Sequence, residues 1–429
     1  MKRFIASALL LALTTAAFAC TSVIITGKAT KDGRPLIWKN TDGGNHYVPQ
    51  RVSYHDEGKY AWIGLAHPEK GTKIAWFGVN ETGFTIMNTA SHNLVTDPGL
   101  KEQRNNGYLM KEALDVCATA RDFLNMLDTI DIEKNIKLEN RVVASHYGII
   151  DANGAAMYVE VKYELGGHPQ YWVYDVNDPE VAPEGWLVYA NWSKNGATDK
   201  GGGYIRHCSA EKIMAEGCKE GAFTPQWIFD KGSRSFYNSY IGIDYRALVD
   251  AGMDFRPGCL PDQDFIPRIT TYVATVVQGV RKGEDPSLTT FWTAQGYPPT
   301  AVAVPAWVKG GREGLNKLLE GNPDNNYNSA MCDLSLKLKT QVFDGTQGNK
   351  FKYLNFRKLY NVEGTGYIQQ LAPVEKEIFD FTEGYLEKWR KAGKVNRKDI
   401  DAVNAKVEEI ISSTSVYKND YKYEYGKIF

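Results

Sequence analysis

Cys20 is the residue whose position in this chain most clearly suggests chemistry. It follows Ala17-Phe18-Ala19, a small-x-small tripeptide of the kind that signal peptidases cut, and it begins the β-branched run CTSVII. A cut before Cys20 would place a free α-amine beside its thiol. Because an α-amine titrates at about pH 8, the same residue would then supply a nucleophile and a base for it. The sequence therefore predicts a catalytic cysteine at position 20.

Asp42 is predicted to lie beside this thiol. Residues 21–26 have the pattern of a strand, Asp32-Gly33 is a turn signal, and residues 35–40 have the pattern of the returning strand. Antiparallel pairing brings the two ends of a hairpin together, so the carboxylate that follows the second strand approaches the start of the first. The alternative is an ordinary turn aspartate, because two glycines follow it.

Composition and charge exclude several classes of function. The net charge is −1 and the charged residues are scattered, which argues against a nucleic-acid or membrane surface. The seven histidines are dispersed and no CxxC occurs, so we expect no metal and no cofactor.

The first 19 residues have the charged, apolar and small-residue segments of a bacterial-type signal peptide, and no later window is long and apolar enough for stable membrane insertion. We therefore expect a periplasmic or secreted protein.

The predicted elements follow the order strands, helices, strands, helices, which is typical of stacked layers of sheet and helix. Strands are predicted at residues 60–65, 73–80, 84–89, 142–150, 155–161, 171–176, 186–191, 289–293 and 301–304. Helices are predicted at residues 108–117, 119–130, 208–218, 266–280, 374–392 and 397–412. We expect a signal peptide (1–19), a catalytic core (20–310) and a helical C-terminal extension (311–429) packed on the same domain.

The opening CTSVII, followed after a turn by DGRPLIWKNTD, resembles the start of the N-terminal-nucleophile (Ntn) cysteine hydrolases. The most similar group is that of choloylglycine (bile salt) hydrolases and penicillin-type acyltransferases, which act on linear amide C–N bonds. In that group the catalytic cysteine is the first mature residue, and an aspartate follows at the end of the second strand. The resemblance covers roughly residues 20–305.

The resemblance implies catalytic-site roles at further positions. Asp42 matches the aspartate that holds the amine of the nucleophile, and Asn88, at the end of VNETGFTIMN, matches an oxyanion donor. Asn191, at the end of LVYAN, matches the asparagine that positions the amine, and Arg268 in DFIPR matches a catalytic-site arginine. Lys39 stands where bile salt hydrolases carry an arginine, three residues before the aspartate, and we expect it to bind substrate.

The resemblance also implies a fold and a reaction. We expect an α+β protein with the Ntn-hydrolase αββα four-layer sandwich, in which helices flank two antiparallel sheets, and with a helical C-terminal extension. Cys20 is expected to attack the carbonyl of a small-molecule N-acyl amide, and water is expected to resolve the acyl-enzyme. No cofactor is needed for this reaction, and homo-oligomer formation is left open.

Several alternatives stay open from the sequence. An Ntn dipeptidase also begins with Cys-Thr and a D-G turn, and an acyltransferase would pass the acyl group to an amine. A surface lipoprotein would carry lipid on Cys20 and bind glycans through the abundant aromatics, although a core strand follows this cysteine directly. Pairing of a cysteine with His146 or His207 is disfavoured, because no papain-type motif surrounds any cysteine. The remaining cysteines are expected in the core or in disulfides: Cys117, Cys208, Cys218, Cys259 and Cys332.

Overall fold

The computed structural model describes residues 20–44, 46–66, 74–91, 93–94, 106–130, 145–162, 169–256, 258–346 and 348–424, so the predicted signal peptide lies outside the described residues. The strands are β1 Cys20–Ile25, β2 Leu36–Asp42, β3 Arg51–His55, β4 Trp62–Ala66, β5 Ala75–Asn80, β6 Thr85–Ala90, β7 Ser145–Ile150, β8 Ala156–Lys162, β9 Gln170–Asp175, β10 Trp186–Tyr189, β11 Tyr237–Asn238, β12 Ile243–Asp244, β13 Cys259–Pro261, β14 Thr271–Gln278, β15 Thr290–Gln295, β16 Val304–Ala306, β17 Gly321–Asn322, β18 Asn328–Ser329 and β19 Tyr353–Asn355. The helices are α1 Asn106–Val116, α2 Ala120–Thr129, α3 Tyr204–Glu220, α4 Pro225–Trp227, a π-helix Ile228–Ser233, α5 Tyr245–Asp250, α6 Ala330–Val342, α7 Tyr367–Ala392 and α8 Arg397–Ser413.

Two large antiparallel sheets organise these elements. One has the strand order β10-β1-β2-β14-β15-β16, and the other runs from β3 to β9 in chain order. The predicted hairpin β1–β2 lies near the middle of the six-stranded sheet, with Cys20 opposite Thr41. Strands β10 and β14 pair with the outer sides of this hairpin. The first residue of β1 is therefore surrounded by neighbouring strand ends.

The two sheets pack face to face. Side chains alternate along a strand, so Cys20 and Ser22 of β1 share a face. That face meets the seven-stranded sheet, because the hydroxyl of Tyr158 on β8 donates to Ser22 Oγ at 3.1 Å. One hydrophobic core contains Ile37 of the first sheet and Phe77 of the second, both with no exposed surface. The side chain of Cys20 thus points into the interface between the sheets.

Helices cover the outer faces of both sheets. Outside the six-stranded sheet, Asn40 Nδ2 donates to the Ser233 carbonyl of the π-helix at 2.9 Å, and Trp292 of β15 stacks on Phe379 of α7 at 4.1 Å. Outside the seven-stranded sheet, Phe123 of α2 meets the Tyr147 ring of β7 edge-on at 5.3 Å. The layer order is αββα, which confirms the predicted α+β sandwich of two antiparallel sheets.

The prediction of a helix over residues 266–280 is wrong. This stretch contains β14, whose eight residues are all buried between β2 and β15. A strand covered on both faces shows no alternation of polar and apolar residues, so its period does not distinguish it from a buried helix. The sequence TYVATVVQ is rich in β-branched residues, and that was the signal for a strand. Arg268 accordingly precedes a strand and does not open a helix.

The C-terminal extension is mainly helical and packs on the six-stranded sheet. Its elements α6, α7 and α8 are accompanied by the short strands β17, β18 and β19. Glu375 of α7 accepts two hydrogen bonds from Arg234, at 2.6 and 2.7 Å, and both side chains are almost fully buried. In α6, Ser335 Oγ lies 2.9 Å from Thr300 Oγ1 of the core. The extension therefore shares its hydrophobic interior with residues 20–310.

No disulfide joins any of the six cysteines, all of which lie among the described residues, so the disulfide alternative is not met. Cys117 and Cys332 are buried in the core as predicted, whereas Cys208 on α3 is exposed.

Within the ranges described above, no group of three or more His, Cys, Asp or Glu side chains is placed to hold a metal ion. In the same part of the chain, no helix is long and apolar enough to cross a membrane.

Candidate active site

Cys20 is almost fully buried, with 4% of its surface exposed. Its main-chain nitrogen donates to Oδ1 of Asn191 at 2.7 Å. Asn191 follows the end of β10, and antiparallel pairing places that end beside the start of β1. The Asn191 amide is held in turn, because its Nδ2 donates to the Ala90 carbonyl at 3.1 Å. A fixed side chain thus binds the nitrogen that would be the α-amine of a chain cut before Cys20.

Arg206 of α3 is a site residue that the sequence analysis did not identify. Its Nη1 donates to the Cys20 carbonyl at 2.7 Å and to Thr21 Oγ1 at 2.8 Å. Its Nη2 donates to Asn191 Oδ1 at 3.0 Å. One guanidinium therefore ties the first two residues of β1 to the asparagine that binds the Cys20 nitrogen.

The signal for Arg206 was its place on an apolar helix face. It lies on the same buried side of α3 as Ala210 and Ile213, where a charged residue needs partners. Burial, followed by the charge of Arg268, lowers the pKa of Arg206 to about 10. The guanidinium therefore stays protonated at neutral pH and keeps its donors.

Asp42, at the end of β2, is also buried and lies one residue beyond Thr41, the partner of Cys20. Its Oδ2 accepts from Nε and Nη2 of Arg268 at 3.0 and 2.9 Å. Its Oδ1 accepts from the hydroxyl of Thr271 at 2.5 Å. The pairing of β2 with β14 shifts register just after Thr271. At this bulge the Thr271 hydroxyl points toward the Asp42 carboxylate.

The expected bond between the Cys20 nitrogen and Asp42 is not among these contacts. In the uncleaved chain this nitrogen is an amide with a single hydrogen, and Asn191 accepts it. A terminal ammonium has three hydrogens. A cut before Cys20 would therefore add donors that neighbouring acceptors, Asp42 among them, could bind.

Lys39 and Asn88 face each other between the two sheets. Lys39 of β2 is buried and donates through Nζ to Asn88 Oδ1 at 3.3 Å and to the Trp76 carbonyl at 3.5 Å. Since an ammonium only donates, the amide oxygen of Asn88 must face the lysine and the NH₂ group must point away from it. Lys39 therefore fixes the orientation of the amide that is predicted to bind the oxyanion.

Positive charge is concentrated around Cys20. Burial lowers the pKa of Lys39, while the charges of Cys20 and Asp42 raise it. Burial also acts to lower the pKa of Arg268, but the charge and hydrogen bonds of Asp42 outweigh it, so that the pKa is raised. Lys39 and Arg206 each interact electrostatically with Cys20, so they favour the anionic species of an acyl transfer, a thiolate and an oxyanion, whereas the charge of Arg268 is paired with Asp42.

The loop after Asn191 is anchored by Glu160 of β8. This carboxylate is completely buried; its Oε1 accepts from the Tyr189 hydroxyl at 2.9 Å and from the Lys194 nitrogen at 2.6 Å. Its Oε2 accepts from the main-chain nitrogen and Nδ2 of Asn195 at 3.0 and 2.9 Å. Because four hydrogen bonds satisfy the buried Glu160 carboxylate, the loop is held in a fixed conformation beside the site.

The structure brings the predicted site residues into one connected region. Hydrogen bonds join Cys20 to Asn191, Asp42 to Arg268, and Lys39 to Asn88. The pairing of β1 with β2 connects the first two pairs, and the bond from Asn191 to Ala90 leads to the strand that carries Asn88. The catalytic roles of these residues remain predictions.

Comparison with known proteins gives similarity in structure without similarity in sequence. No protein-family model and no curated protein matches the chain. It is similar to the Caenorhabditis elegans ortholog of N-acylethanolamine-hydrolyzing acid amidase, at 11% identity over 60% of this chain and 92% of that chain, with a TM-score of 0.36. It is also similar to a conjugated bile acid hydrolase from Clostridium perfringens, at 13% identity over 68% and 92% of the two chains, with a TM-score of 0.40.

A third solved structure is the penicillin V acylase from Agrobacterium tumefaciens, at 13% identity over 68% of this chain and 86% of that chain, with a TM-score of 0.33. The likenesses to all three structures are weak.

Proposed function

We propose that the mature protein is an exported hydrolase that cleaves a linear amide bond of an N-acyl small molecule, with Cys20 as nucleophile. The observation that supports this most directly is the 2.7 Å bond from the Cys20 nitrogen to Asn191 Oδ1. A nitrogen at the first position of a strand needs no buried side chain as a partner, since water or a neighbouring strand can serve. Here Asn191 and Arg206 are arranged around it. Such a pocket suits an amine that must be positioned to act as a base.

Acylation follows from the positions of these groups. The α-amine takes the thiol proton, and the Cys20 sulfur forms a bond to the substrate carbonyl carbon. The resulting oxyanion accepts hydrogen bonds from Asn88 Nδ2 and from a main-chain N–H, each worth about 3–4 kcal/mol in comparable sites. Collapse breaks the C–N bond, and the α-ammonium returns its proton to the leaving amine.

Deacylation reverses the roles with water as the nucleophile. The amine takes a proton from water, the oxygen attacks the thioester carbonyl, and the C–S bond breaks to release the acid and the Cys20 thiol. If an amine replaces water at this step, the same site is an acyltransferase. Asp42 and Asn191 would hold the terminal amine in both half-reactions, and Arg206 would keep Asn191 in place.

Export and activation are linked in this proposal. Before the cut at Ala19 the Cys20 nitrogen is an amide, which is not a base, so the precursor is inert. The lipoprotein alternative is disfavoured by burial, because a lipid on the Cys20 sulfur would have to fit between two packed sheets. An Ntn dipeptidase would use the same nucleophile and would differ in requiring a free amino group on its substrate.

A substrate panel with cysteine variants tests the proposal. The mature protein is incubated with N-acyl amino acids, N-acyl amines and free-amino dipeptides, and amine release is measured for wild type, Cys20→Ala and Cys208→Ala. Cys208 is an exposed thiol on α3 and serves as the matched control. We expect N-acyl substrates to be cleaved by wild type and Cys208→Ala only. Unchanged turnover in Cys20→Ala would contradict the mechanism, and cleavage of dipeptides alone would favour the dipeptidase.

A further inference from the structure

The C-terminal extension places a buried lysine next to the turn that supports Asp42. Lys339 of α6 has no exposed surface. Its Nζ donates to the carbonyls of His46 and Ile269, and to that of Thr271 at 3.4 Å. An ammonium has three donors, so these three carbonyls use all of them. A charge is buried here without a role in the reaction proposed above.

The peptide of Ile269 is held from both sides. Its carbonyl accepts from Lys339, and its nitrogen donates to Oδ2 of Asp262 at 2.8 Å. The turn closes on itself, because the Thr271 nitrogen donates to the Arg268 carbonyl at 2.8 Å. Two buried side chains, a lysine and an aspartate, thus fix residues 268–271.

This turn supplies the hydrogen-bond donors to Asp42. Arg268 at its start binds Oδ2, and Thr271 at its end binds Oδ1. A shift of the turn would therefore move both donors at once. A displacement of about 1 Å in such positioning groups can cost a reaction about 10²-fold in rate.

We propose that Lys339 is a positioning residue of the active centre: its ammonium holds the 268–271 turn in the conformation in which Arg268 and Thr271 bind Asp42. The inference rests on the proposed function, in which Asp42 holds the terminal amine. It gives α6 of the C-terminal extension a part in the reaction.

The charge state of this lysine is sensitive to pH. Burial lowers the pKa of Lys339 to about 7, although nearby negative groups raise it, and burial raises the pKa of Asp262 to about 7. The titratable groups around the ammonium are Asp262, Asp42, Cys332 and His46. The ring centroids of Tyr47 and Tyr297 each lie 5.3 Å from Nζ. The ammonium is present below its pKa, and the neutral amine above it has two N–H donors for three carbonyls. Asp262 keeps an acceptor oxygen for the Ile269 nitrogen when it is protonated, so the loss of Lys339 donors decides the outcome: the turn is held best below about pH 7 and loosens as the pH rises.

A methionine substitution tests the role directly. Lys339→Met keeps a long apolar side chain and removes the donors, while Lys337→Met makes the same change on α6 at a lysine that pairs with Asp333 at 2.8 Å. The rate at which an N-acyl substrate acylates Cys20 in a single turnover is followed by intact mass. We expect Lys339→Met to be slower by about tenfold or more and Lys337→Met to match wild type. Equal rates in all three proteins overturn the inference, whereas a wild type that is never acylated overturns the proposed function instead.

Asp262→Asn provides a second test if Lys339→Met does not fold. The amide keeps an acceptor for the Ile269 nitrogen but removes the negative charge that raises the pKa of Lys339. We expect kcat of the wild type to decline above about pH 7 and this decline to begin at lower pH in Asp262→Asn. A purely structural role would lower the unfolding temperature and leave the pH at which kcat declines unchanged. A wild-type pH profile of kcat without this decline, or a decline that begins at the same pH in both proteins, overturns the inference.

Discussion

The change Asn88→Asp separates a catalytic amide from a structural one. It preserves the size of the side chain and the oxygen that faces Lys39, and it replaces the NH₂ group by an oxygen that donates nothing. Lys39 Nζ lies 3.3 Å from Asn88 Oδ1, and both side chains are buried. The new carboxylate would gain an ion pair with the lysine, while the site would lose its predicted oxyanion donor.

The expected size of the effect follows from the single donor removed. Loss of one oxyanion donor costs about 3–4 kcal/mol, and each 1.36 kcal/mol is a factor of about ten in rate. We therefore expect Cys20 to be acylated about 10²–10³ times more slowly in Asn88→Asp. The unfolding temperature should stay the same or rise, because the buried ammonium of Lys39 gains an anionic partner.

Single-turnover acylation followed by intact mass, together with thermal unfolding followed by circular dichroism, measures both quantities. Asn404→Asp is the matched control, because Asn404 is a buried asparagine of α8 whose Nδ2 donates to the Gly314 carbonyl at 3.0 Å. The control should lose stability and keep its acylation rate. An Asn88→Asp rate within about threefold of wild type would refute the assignment of Asn88 as an oxyanion donor.

Four further substitutions test the support around the site and the packing of the C-terminal extension. Thr271→Val removes the hydroxyl that donates at 2.5 Å to the carboxylate at the end of β2; kcat/KM should fall by the equivalent of about 1.5–3 kcal/mol, and an unchanged value would contradict its role. Glu375→Ala leaves Arg234 buried without its carboxylate and should lower the free energy of unfolding in urea by about 3–5 kcal/mol; a loss below about 1 kcal/mol would argue against the pair. Gly296→Ala should destabilise the protein, because the φ of Gly296 is +91° and a Cβ there would lie 2.4 Å from a serine hydroxyl of α6. Gly384→Ala, on the exposed face of α7, should raise the free energy of unfolding by about 0.5–1 kcal/mol. Equal stability of the two alanine variants would contradict this packing of the extension.

The parts of the site that depend on local pattern could be predicted from the sequence. A β-branched strand, a turn and a returning strand are signals of short range, and together they place Asp42 next to the partner of Cys20. Asn88 and Asn191 were identified by the resemblance of the short motifs that end in them. The structure then shows which atoms of these side chains are already bound.

The parts that depend on contacts distant in sequence could not be predicted. Arg206 is 186 positions from Cys20, and only the packing of α3 against β1 shows that its guanidinium binds there. Strand β14 differs, because burial on both faces removes the alternation that identifies a strand and leaves only its β-branched composition as a local signal. Lys339 lies in the region outside the resemblance, and its link to the 268–271 turn exists only in the folded chain.

The mass of the mature protein, before and after incubation with an N-acyl amide that it cleaves, tests the central claim most directly. The account predicts a chain that begins at Cys20 with a free amine, and a transient added mass equal to the acyl group that maps to Cys20 and is absent in Cys20→Ala. A mature chain that retains Ala19 or carries a lipid on Cys20, or turnover without acylation of this residue, would contradict it.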